Sequence, residues 1–508
     1  MLKPGPRTEA LDPTAGLRSR ILLLILLAVT LAIKISLAWR FEGFLTGDDL
    51  EIVQSAAKYA LGVRYEPWVL RCLFHPIVLV APVLHLSALL GARDPGTLRW
   101  VATLPTIAFS TAAVALTFAL GRRWGWSRRA ALAGAFFYAF AWLPLAYGAT
   151  PFPRPISTAM LLAAFFFASD PSDRPGPALM AGILAGAAFA VRWSEGIVLI
   201  ALCGWTAWRF RSPRRILRIA SGFALGTLLF AGITDWLTWG TPLKSLAEYF
   251  RIMFLERPAV DNQPIWDYAY TILHWAGPLL LLLLIPAWQE RQVRPAIAVF
   301  VSVVVLMSLF SHKEWRYLQA AMPFLALAAG AGWERLWTRG RRVLAVAALV
   351  LAVPYGLERA VTLLSDSSGA EIEAARFIQS LNPKPQVLAF EQMWAYGEHL
   401  YLGNDVEIRE IELGRPLRPR AIETAASGAD VAAVYARHLD DEGRRRLGEL
   451  GFRQIADFRK WKSYECLVFG HGAFAAAAEP SGRFSETRPR EAPPSRPVPS
   501  SPRGPEKP

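Results

Sequence analysis

Charged side chains at the edges of strongly apolar stretches are the residues of this sequence best placed to do chemistry. Two adjacent carboxylates, Asp48 and Asp49, follow the first such stretch. Adjacent carboxylates beside an apolar layer suit a general base, because crowding and partial loss of hydration raise a carboxyl pKa towards the working pH. The alternative is structural, since aspartate is a favoured N-cap, here for a helix that begins near Leu50. The two roles are compatible, because a cap residue holds its neighbour in place.

A second group is the short charged segment SHKEWRY at 311–317, between two apolar stretches. His312, Lys313 and Arg316 are cations suited to holding an anionic phosphate. Glu314 is placed to orient them. The alternative is an interfacial loop whose long side chains reach out of the apolar layer and whose aromatic residues anchor it.

Three single charges interrupt other apolar surroundings. Arg154 and Arg192 lie in very short connections, and either has the alternative of simply reaching the membrane surface. Asp235 precedes a long aromatic loop that ends near residues 265–268 and suits the covering of a lipid or a sugar, with an interfacial helix as an equally good alternative. The sequence has no Gly-rich phosphate loop and no pair of histidines with metal-ligand spacing.

The apolar stretches themselves set the architecture. Of 508 residues, 53% are hydrophobic and only 19% are charged, which excludes a simple soluble enzyme and a disordered chain; three cysteines make no disulfide framework. The sequence predicts an α-helical polytopic membrane protein with about eleven transmembrane helices, because many stretches approach the length that crosses a bilayer. The predicted spans are 21–39, 100–120, 130–147, 156–169, 178–191, 195–208, 217–236, 271–288, 294–310, 317–333 and 342–356.

The distribution of arginine indicates the orientation of these helices. The first stretch, 21–39, is predicted to be an uncleaved membrane helix, because no small-residue cleavage site follows it. The segment 76–91 is predicted to lie flat on the membrane surface rather than to cross it. With that choice the Arg-rich connections fall on the N-terminal side, as the positive-inside rule requires, and the charged groups above share the outer face. The net charge of +14 therefore indicates cytoplasmic loops and no nucleic acid partner.

Composition divides the chain into four parts. Residues 1–20 form a cytoplasmic tail and 21–357 a membrane catalytic domain. Residues 358–475 are predicted to be a small extracytoplasmic α/β domain, with a helix at 370–381 and strands at 386–392, 429–436 and 465–470. Residues 476–508 are rich in Pro, Ser, Arg and Glu and are predicted to be disordered.

The segment from His312 to Tyr317 resembles the HKExRF signature of glycosyltransferase family 22, the membrane mannosyltransferases of the GT-C fold. Other stretches are similar to that family over roughly residues 20–340. They include an acidic pair, a Pro-Trp pair with a following arginine, an Arg-x-x-Ser-Asn stretch and an Asp before Tyr-Gly. Their counterparts here are Asp48-Asp49, Pro67-Trp68 with Arg71, Arg154 to Thr158, and Asp235 with Trp239-Gly240.

This chain departs from the family pattern at several of those positions. It has Asp-Asp where the family usually has Asp-Glu, Tyr317 in place of Phe, and Thr158 in place of Asn. An ungapped alignment back from Pro67-Trp68 places Asp48 at the family's Glu position. The base is therefore either Asp48 or Asp49.

The resemblance implies transfer of mannose from a polyprenyl- or dolichyl-phosphate-mannose donor to a lipid-linked or glycan acceptor. It implies an inverting reaction, with Asp48 or Asp49 as base and with the donor phosphate bound by His312, Lys313, Arg316 and Arg192. Glu314, Arg71, Arg154 and Asp235 are the supporting residues. No metal is required, although the aspartate pair leaves a divalent metal open.

The expected location is the bacterial inner membrane, with membrane lipid as a partner and the site facing the periplasm, or the lumenal face of the endoplasmic reticulum in a eukaryote. Two alternatives remain. One is a GT-C transferase that uses another lipid-phosphate sugar, such as glucose, arabinose or aminoarabinose. The other is a lipid-glycan transporter, which the absence of sequence repeats disfavours.

Overall fold

The computed structural model describes residues 13–256, 263–365, 369–391, 396–412, 416–460 and 464–476. Most of these residues are helical. The first helices are α1 Pro13–Arg40, α2 Gly47–Leu61, α3 Ala81–Leu89, α4 Pro95–Arg123, α5 Arg128–Ala139, α6 Trp142–Tyr147, α7 Arg154–Ala168, α8 Pro175–Val191, α9 Gly196–Phe210, α10 Pro213–Thr227 and α11 Ile233–Trp239. The chain continues with α12 Lys244–Phe250, α13 Asp267–Tyr270, α14 Ile272–Trp275, α15 Pro278–Ala287, α16 Arg294–Ser308, α17 Met322–Thr338, α18 Arg342–Ser365, α19 Ala370–Ser380, α20 Glu398–Leu402, α21 Pro419–Ala426, α22 Asp441–Glu449 and α23 Ala473–Ala476.

Five helices in the described ranges are long and apolar enough to cross a membrane. They are Gly16–Arg40, Pro95–Arg123, Pro213–Trp239, Arg291–Ser308 and the helix that begins at Arg342. Four shorter apolar helices accompany them, at His75–Leu89, Arg154–Ala168, Pro175–Val191 and Pro278–Ala287. The polytopic helical membrane architecture predicted from composition is therefore present.

The eleven predicted spans all lie in helical segments, but not all as single helices. The predicted span 130–147 is divided into α5 and α6 by a break at Phe140 and Ala141. The predicted span 271–288 is likewise divided, into α14 and α15. The number of helices that cross the membrane stays a prediction. Residues 76–91 form a helix, as predicted, in which a π-helical turn at His75–Val80 leads into α3.

A five-stranded sheet lies near the C-terminal end of the chain, formed by β1 Val387–Glu391, β2 Glu407–Ile411, β3 Val431–Tyr435, β4 Phe452–Lys460 and β5 Tyr464–His471. The strand order is β2-β1-β3-β5-β4, with β1 parallel to β2 and β3 and with β5 antiparallel to its two neighbours. The three predicted strands and the helix at 370–381 are confirmed. The sequence pattern does not predict β2 and β4, whose residues are more polar. The four domain boundaries stay predictions, and the tail after residue 476 lies outside the described residues.

The C-terminal part of the chain that carries the sheet shares a hydrophobic core with α2, the helix that follows the first long apolar helix. A single hydrophobic core combines Val53 and Ala56 of α2 with Leu388, Phe390 and Val431 of the sheet. Polar contacts join α2 and the loop before it to the segment at α20. Gln54 donates to the carbonyl of Gly397, and Tyr401 donates to Glu42 over 2.7 Å. These contacts link the C-terminal part of the chain to the helix that carries the acidic pair.

Close helix packing in the membrane region depends on glycines that leave no room for a side chain. A Cβ on Gly182 in α8 would collide with the carbonyl oxygen of Ile219 in α10, whereas a Cβ on Gly204 in α9 would meet no atom within 4 Å.

We expect Gly182→Ala to lower the free energy of unfolding by about 1–3 kcal/mol through overpacking. Gly204→Ala should raise it by about 0.5–1 kcal/mol through helix propensity. Thermal unfolding of the two purified variants in detergent measures the contrast, and equal midpoints would contradict it.

Candidate active site

The loop between α1 and α2 is held by an arginine that belongs to a neighbouring helix. Arg99 of α4 is buried and donates to the carbonyl oxygens of Ala38, near the end of α1, and of Gly43, over 3.0 and 3.1 Å. The loop then reaches Thr46, which is the N-cap of α2 and accepts a hydrogen bond from the backbone N–H of Asp48. The predicted aspartate cap is therefore wrong in detail: the cap is Thr46, and both aspartates lie in the first turn.

Asp49 closes this cap from the other side. One carboxylate oxygen accepts from the backbone N–H of Leu45 over 3.1 Å and the other from the hydroxyl of Thr46 over 3.2 Å. This reciprocal arrangement is close to a capping box. Asp49 is fully buried. Burial raises the pKa of its carboxyl to about 7, and the negative charge of Asp48 adds to that rise.

Asp48 is surrounded by three guanidinium groups. Arg71 contacts one carboxylate oxygen, and Arg192 and Arg316 contact the other over 2.9 and 3.9 Å. Burial opposes ionisation of Asp48, but Arg192, Arg71 and Arg316 outweigh it and hold the pKa of this carboxyl well below its ordinary value. Asp48 is therefore an ionised carboxylate in this arrangement, although its side chain is only 4% exposed.

The three arginines come from three separate segments, each held by its own contacts. Arg71 lies in the loop after α2, where Glu51 accepts hydrogen bonds from Tyr65 and from the backbone N–H of Trp68, the latter over 2.9 Å. The Arg71 guanidinium also lies 5.2 Å from the centre of the Trp68 ring. Glu51 thus fixes the segment that delivers Arg71 to Asp48.

Arg192 ends α8 and is followed by a 3-10 turn at Trp193–Glu195. Arg154, at the start of α7, donates hydrogen bonds to the side chains of Glu195 and Ser194 in that turn, each over 2.8 Å. The side chains of Arg154 and Glu195 are fully buried. Arg154 also lies 4.3 Å from the centre of the Tyr317 ring. Arg154 therefore contacts two of the three segments that deliver arginines to Asp48, those of Arg192 and Arg316, and among the described residues it is not itself an ion-pair partner of Asp48.

The predicted basic segment 311–317 reaches the acidic pair through Arg316. Arg316 pairs with both Asp48 and Glu314, and His312 lies 3.5 Å from the second carboxylate oxygen of Glu314. Tyr268, in α13, both donates to the Glu314 carbonyl and accepts from the Glu314 N–H, over 3.0 and 3.1 Å. The segment is thus clamped at its centre.

Lys313 has a different environment from the other cations of this segment. Its ammonium donates to the carbonyl oxygens of Gln263 and Phe310 over 3.0 and 2.6 Å, and the residue is buried. These contacts tie the long loop that follows α12 to the basic segment. The assignment of Lys313 and His312 to a donor phosphate stays a prediction.

A cleft of about 430 Å³ opens beside the arginine cluster. Its walls combine charged, amide and hydroxyl side chains with a tryptophan, a mixture suited to a sugar ring. The lining residues are Leu45, Thr46, Tyr147, Gln263, Asp267, Thr271, Lys313, Glu314, Trp315 and Arg316. The sequence pattern does not predict three of these residues, Tyr147, Gln263 and Thr271, because an isolated polar residue near an apolar stretch carries no signal of its own.

Asp235 does not reach the cleft. Its carboxylate accepts from the backbone N–H and the hydroxyl of Ser245, over 2.9 and 2.5 Å, and so fixes α12 to α11. It also contacts the thiol of Cys72, the residue after Arg71. Among the described residues, the link from Asp235 to the arginine cluster runs through Cys72, the neighbour of Arg71 in the chain.

The chain matches the model of a known protein family. The model of the Alg9-like mannosyltransferase family matches residues 67–389, more than half of the chain. The chain belongs to this family. The matched range contains all three arginines and the segment 311–317 of this Alg9-like protein, and the acidic pair precedes it. Comparison with curated sequences gives no match.

Solved structures share the GT-C fold of this Alg9-like protein. ArnT from Cupriavidus metallidurans in the apo state has a TM-score of 0.63 and 15% identity, covering 90% of this chain and 98% of ArnT. ArnT bound to undecaprenyl phosphate has a TM-score of 0.62 and 14% identity, covering 89% and 98%. The arabinofuranosyltransferase AftD from Mycobacteria has a TM-score of 0.50 and 13% identity, covering 88% of this chain and 40% of AftD. The protein is an integral membrane glycosyltransferase.

The buried pair of Arg154 and Glu195 should be a stability determinant of the site. Glu195→Gln leaves the Arg154 charge buried without its counterion, and we expect a loss of about 3–5 kcal/mol. The control is Asp170→Asn, which breaks the partly exposed pair of Asp170 with Arg123 and should cost about 1 kcal/mol or less. Thermal unfolding in detergent measures both. A Glu195→Gln midpoint equal to that of Asp170→Asn would contradict the assignment.

Proposed function

We propose that this protein transfers mannose from a polyprenyl-phosphate-mannose donor to a lipid-linked or glycan acceptor, with inversion at the anomeric carbon. The observation that carries the proposal is the convergence of Arg71, Arg192 and Arg316 on the Asp48 carboxylate beside the cleft. Such a reaction needs a base for the acceptor hydroxyl and cations for the departing phosphate. A carboxylate and three guanidinium groups within one small volume support this assignment.

The arginine cluster is proposed to hold the donor phosphate. Guanidinium groups bind phosphate through paired N–H donors, and three of them carry enough positive charge for the phosphate and Asp48 together. Arg316 is the most direct candidate, because it lines the cleft and contacts Asp48. When the phosphate enters, its oxygens share the donors that now hold Asp48. The pKa of Asp48 then rises, and the carboxylate becomes a stronger base.

Asp48 is proposed as the base and Asp49 as the residue that supports it. Both oxygens of Asp49 are already engaged by Leu45 and Thr46, whereas those of Asp48 face the cations that would hold the donor. The negative charge of Asp49 makes Asp48 more basic. An attack assisted by a single base displaces the lipid phosphate in line, which gives inversion and needs no second catalytic carboxylate.

The donor class agrees with one of the similar folds, since ArnT was solved with undecaprenyl phosphate bound. A polyprenyl carrier is proposed here on the same chemistry, a phosphate at the membrane surface with its chain in the lipid. The proposed location is the bacterial inner membrane with the cleft on the periplasmic side, because the Arg-rich loops fall on the other side. If the donor carries a different sugar, incubation with mannosyl and pentosyl polyprenyl phosphates in parallel will show it by the sugar that is transferred.

The two aspartates should respond differently to replacement. Asp48→Asn removes the base and should lower kcat by about 10²–10⁴-fold with radiolabelled polyprenyl-phosphate-mannose in proteoliposomes. Asp49→Asn is close in shape and hydrogen bonding to the protonated form of Asp49 and should lower kcat by about tenfold or less. If Asp48→Asn retains full turnover, Asp48 is not the base, and a product with retained anomeric configuration would exclude the single-displacement mechanism.

The pH dependence provides a second test of the same pair. Because the pKa of Asp49 is raised to about 7, this carboxyl gains its proton as the pH falls through that value. Asp48 then loses the negative neighbour that supports its basicity, and kcat should fall below pH 7 and reach a plateau above it. Asn at position 49 imitates the protonated form, so Asp49→Asn should show no inflection near pH 7. An unchanged inflection in this variant would assign it to another group.

Arg192 should contribute to kcat/KM for the donor through the paired N–H donors of its guanidinium as well as through its positive charge. Arg192→Lys keeps the positive charge but loses the paired donors, and we expect kcat/KM for the donor to fall at least about tenfold. The matched control is Arg123→Lys, since Arg123 also pairs with an aspartate but lies at the far end of the 29-residue α4. Equal activity of the two variants would remove Arg192 from the proposed phosphate site.

A further inference from the structure

A second cationic group lies on the other side of the Trp315 wall of the cleft. Arg359, in the outer part of α18, donates to Nδ1 of His274 in α14 over 3.1 Å. The guanidinium also lies 5.9 Å from the centre of the Tyr355 ring. In the described part of the chain no carboxylate oxygen lies within 4.0 Å of the Arg359 guanidinium. None of the contacts of the proposed active site uses either residue.

The hydrogen bond between them determines the protonation of the histidine. Arginine can only donate, so Nδ1 of His274 must accept, and the neutral ring therefore carries its proton on Nε2. Over the described residues, neither this Nε2–H nor the remaining N–H groups of Arg359 have a hydrogen-bond partner. Both side chains are partly exposed. Together they present several unused donors and one positive charge.

Aromatic residues hold the histidine in this orientation. The His274 ring lies 4.1 Å from the Trp315 ring, centre to centre, and the indole N–H of Trp142 donates to the His274 carbonyl over 3.2 Å. Trp315 also lines the cleft. The free donors are thus separated from the cleft by a single aromatic side chain.

The level of Arg359 in the membrane follows from the length of α18. Seventeen residues separate Arg342 from Arg359, which corresponds to about 26 Å along a helix and is close to the ~30 Å of bilayer hydrocarbon. Val350 and Leu351 between them are more than half exposed, as expected of a surface in contact with lipid. Arg359 therefore lies at the depth of the lipid headgroups, on the same side as the cleft.

We propose that Arg359 and His274 bind a phosphate group carried by a membrane lipid, next to the cleft and separate from the arginine cluster at Asp48. An unpaired guanidinium with an imidazole N–H at headgroup depth matches a phosphate monoester or diester. The carrier of this phosphate is either a polyprenyl phosphate or a phospholipid of the bilayer. A site here holds a lipid phosphate within reach of the cleft without occupying it.

Native mass spectrometry of the full chain in detergent tests the proposal, with undecaprenyl phosphate, phosphatidylglycerol and phosphate-free polyprenol as probes. Because the arginine cluster at Asp48 is proposed to hold one polyprenyl phosphate of its own, the readout is the number of phosphate lipids bound to each chain. We expect Arg359→Gln and His274→Phe each to weaken binding of the additional phosphate lipid at least about tenfold, and Arg359→Lys to restore part of it. The matched control is Arg342→Gln, because Arg342 is in the same helix and also faces an aromatic ring, that of Trp337, at 5.8 Å. This control should bind as the wild type does.

The probes identify the source of the phosphate. Loss confined to undecaprenyl phosphate assigns the site to a polyprenyl carrier, and equal loss for phosphatidylglycerol assigns it to bilayer headgroups. Wild-type binding by both Arg359→Gln and His274→Phe, equal loss in Arg342→Gln, or equal binding of polyprenol would overturn the proposal. The assay involves no sugar transfer, so its result is independent of the proposed reaction. Asp48→Asn, which tests that reaction, should retain binding at Arg359.

Discussion

The ionised carboxylate of Asp48 among three arginines is the interaction on which the rest of the site depends. A carboxylate that is 4% exposed is stable as an anion only if nearby positive charge replaces its lost hydration. Arg71, Arg192 and Arg316 supply that charge from three separate segments. Displacement of any one segment would remove part of the positive charge that stabilises this buried carboxylate. The cluster therefore both shapes the site and holds its parts together.

Much of the surrounding structure can be understood as support for those three segments. Glu51 fixes the segment of Arg71, and Arg154 with Glu195 fixes the turn after Arg192. Tyr268 clamps the backbone next to Arg316. Val53 and Ala56 of α2, the helix that carries the aspartates, are buried in a hydrophobic core shared with residues of the sheet. Charged supports near the cleft are thus combined with an apolar core on the helix that carries the acidic pair.

Sequence patterns were sufficient for the polytopic helical architecture, the three buried strands and the two charged segments, because each produces a strong local signal of hydropathy or charge. They also indicated that the acidic pair and the basic segment meet, through the resemblance to a family. They did not indicate Glu195, Tyr268 or Gln263, whose importance arises only from contacts made across the fold. They also predicted an aspartate as the N-cap of α2, whereas the cap is Thr46, two positions before Asp48, and the Thr46 hydroxyl accepts from the Asp48 N–H.

The division of the two aspartates follows from their neighbours rather than from their chemistry. The carboxylates are identical and adjacent, yet one faces guanidinium groups and the other faces a backbone N–H and a hydroxyl. Positive charge favours the anion at Asp48, and burial without a cationic partner in direct contact favours the acid at Asp49. A phosphate that entered the cluster would reduce this difference, because it would draw the arginines away from Asp48. The basicity needed for transfer would then develop only when a donor is bound, so that binding of the donor phosphate itself prepares the base for the acceptor hydroxyl.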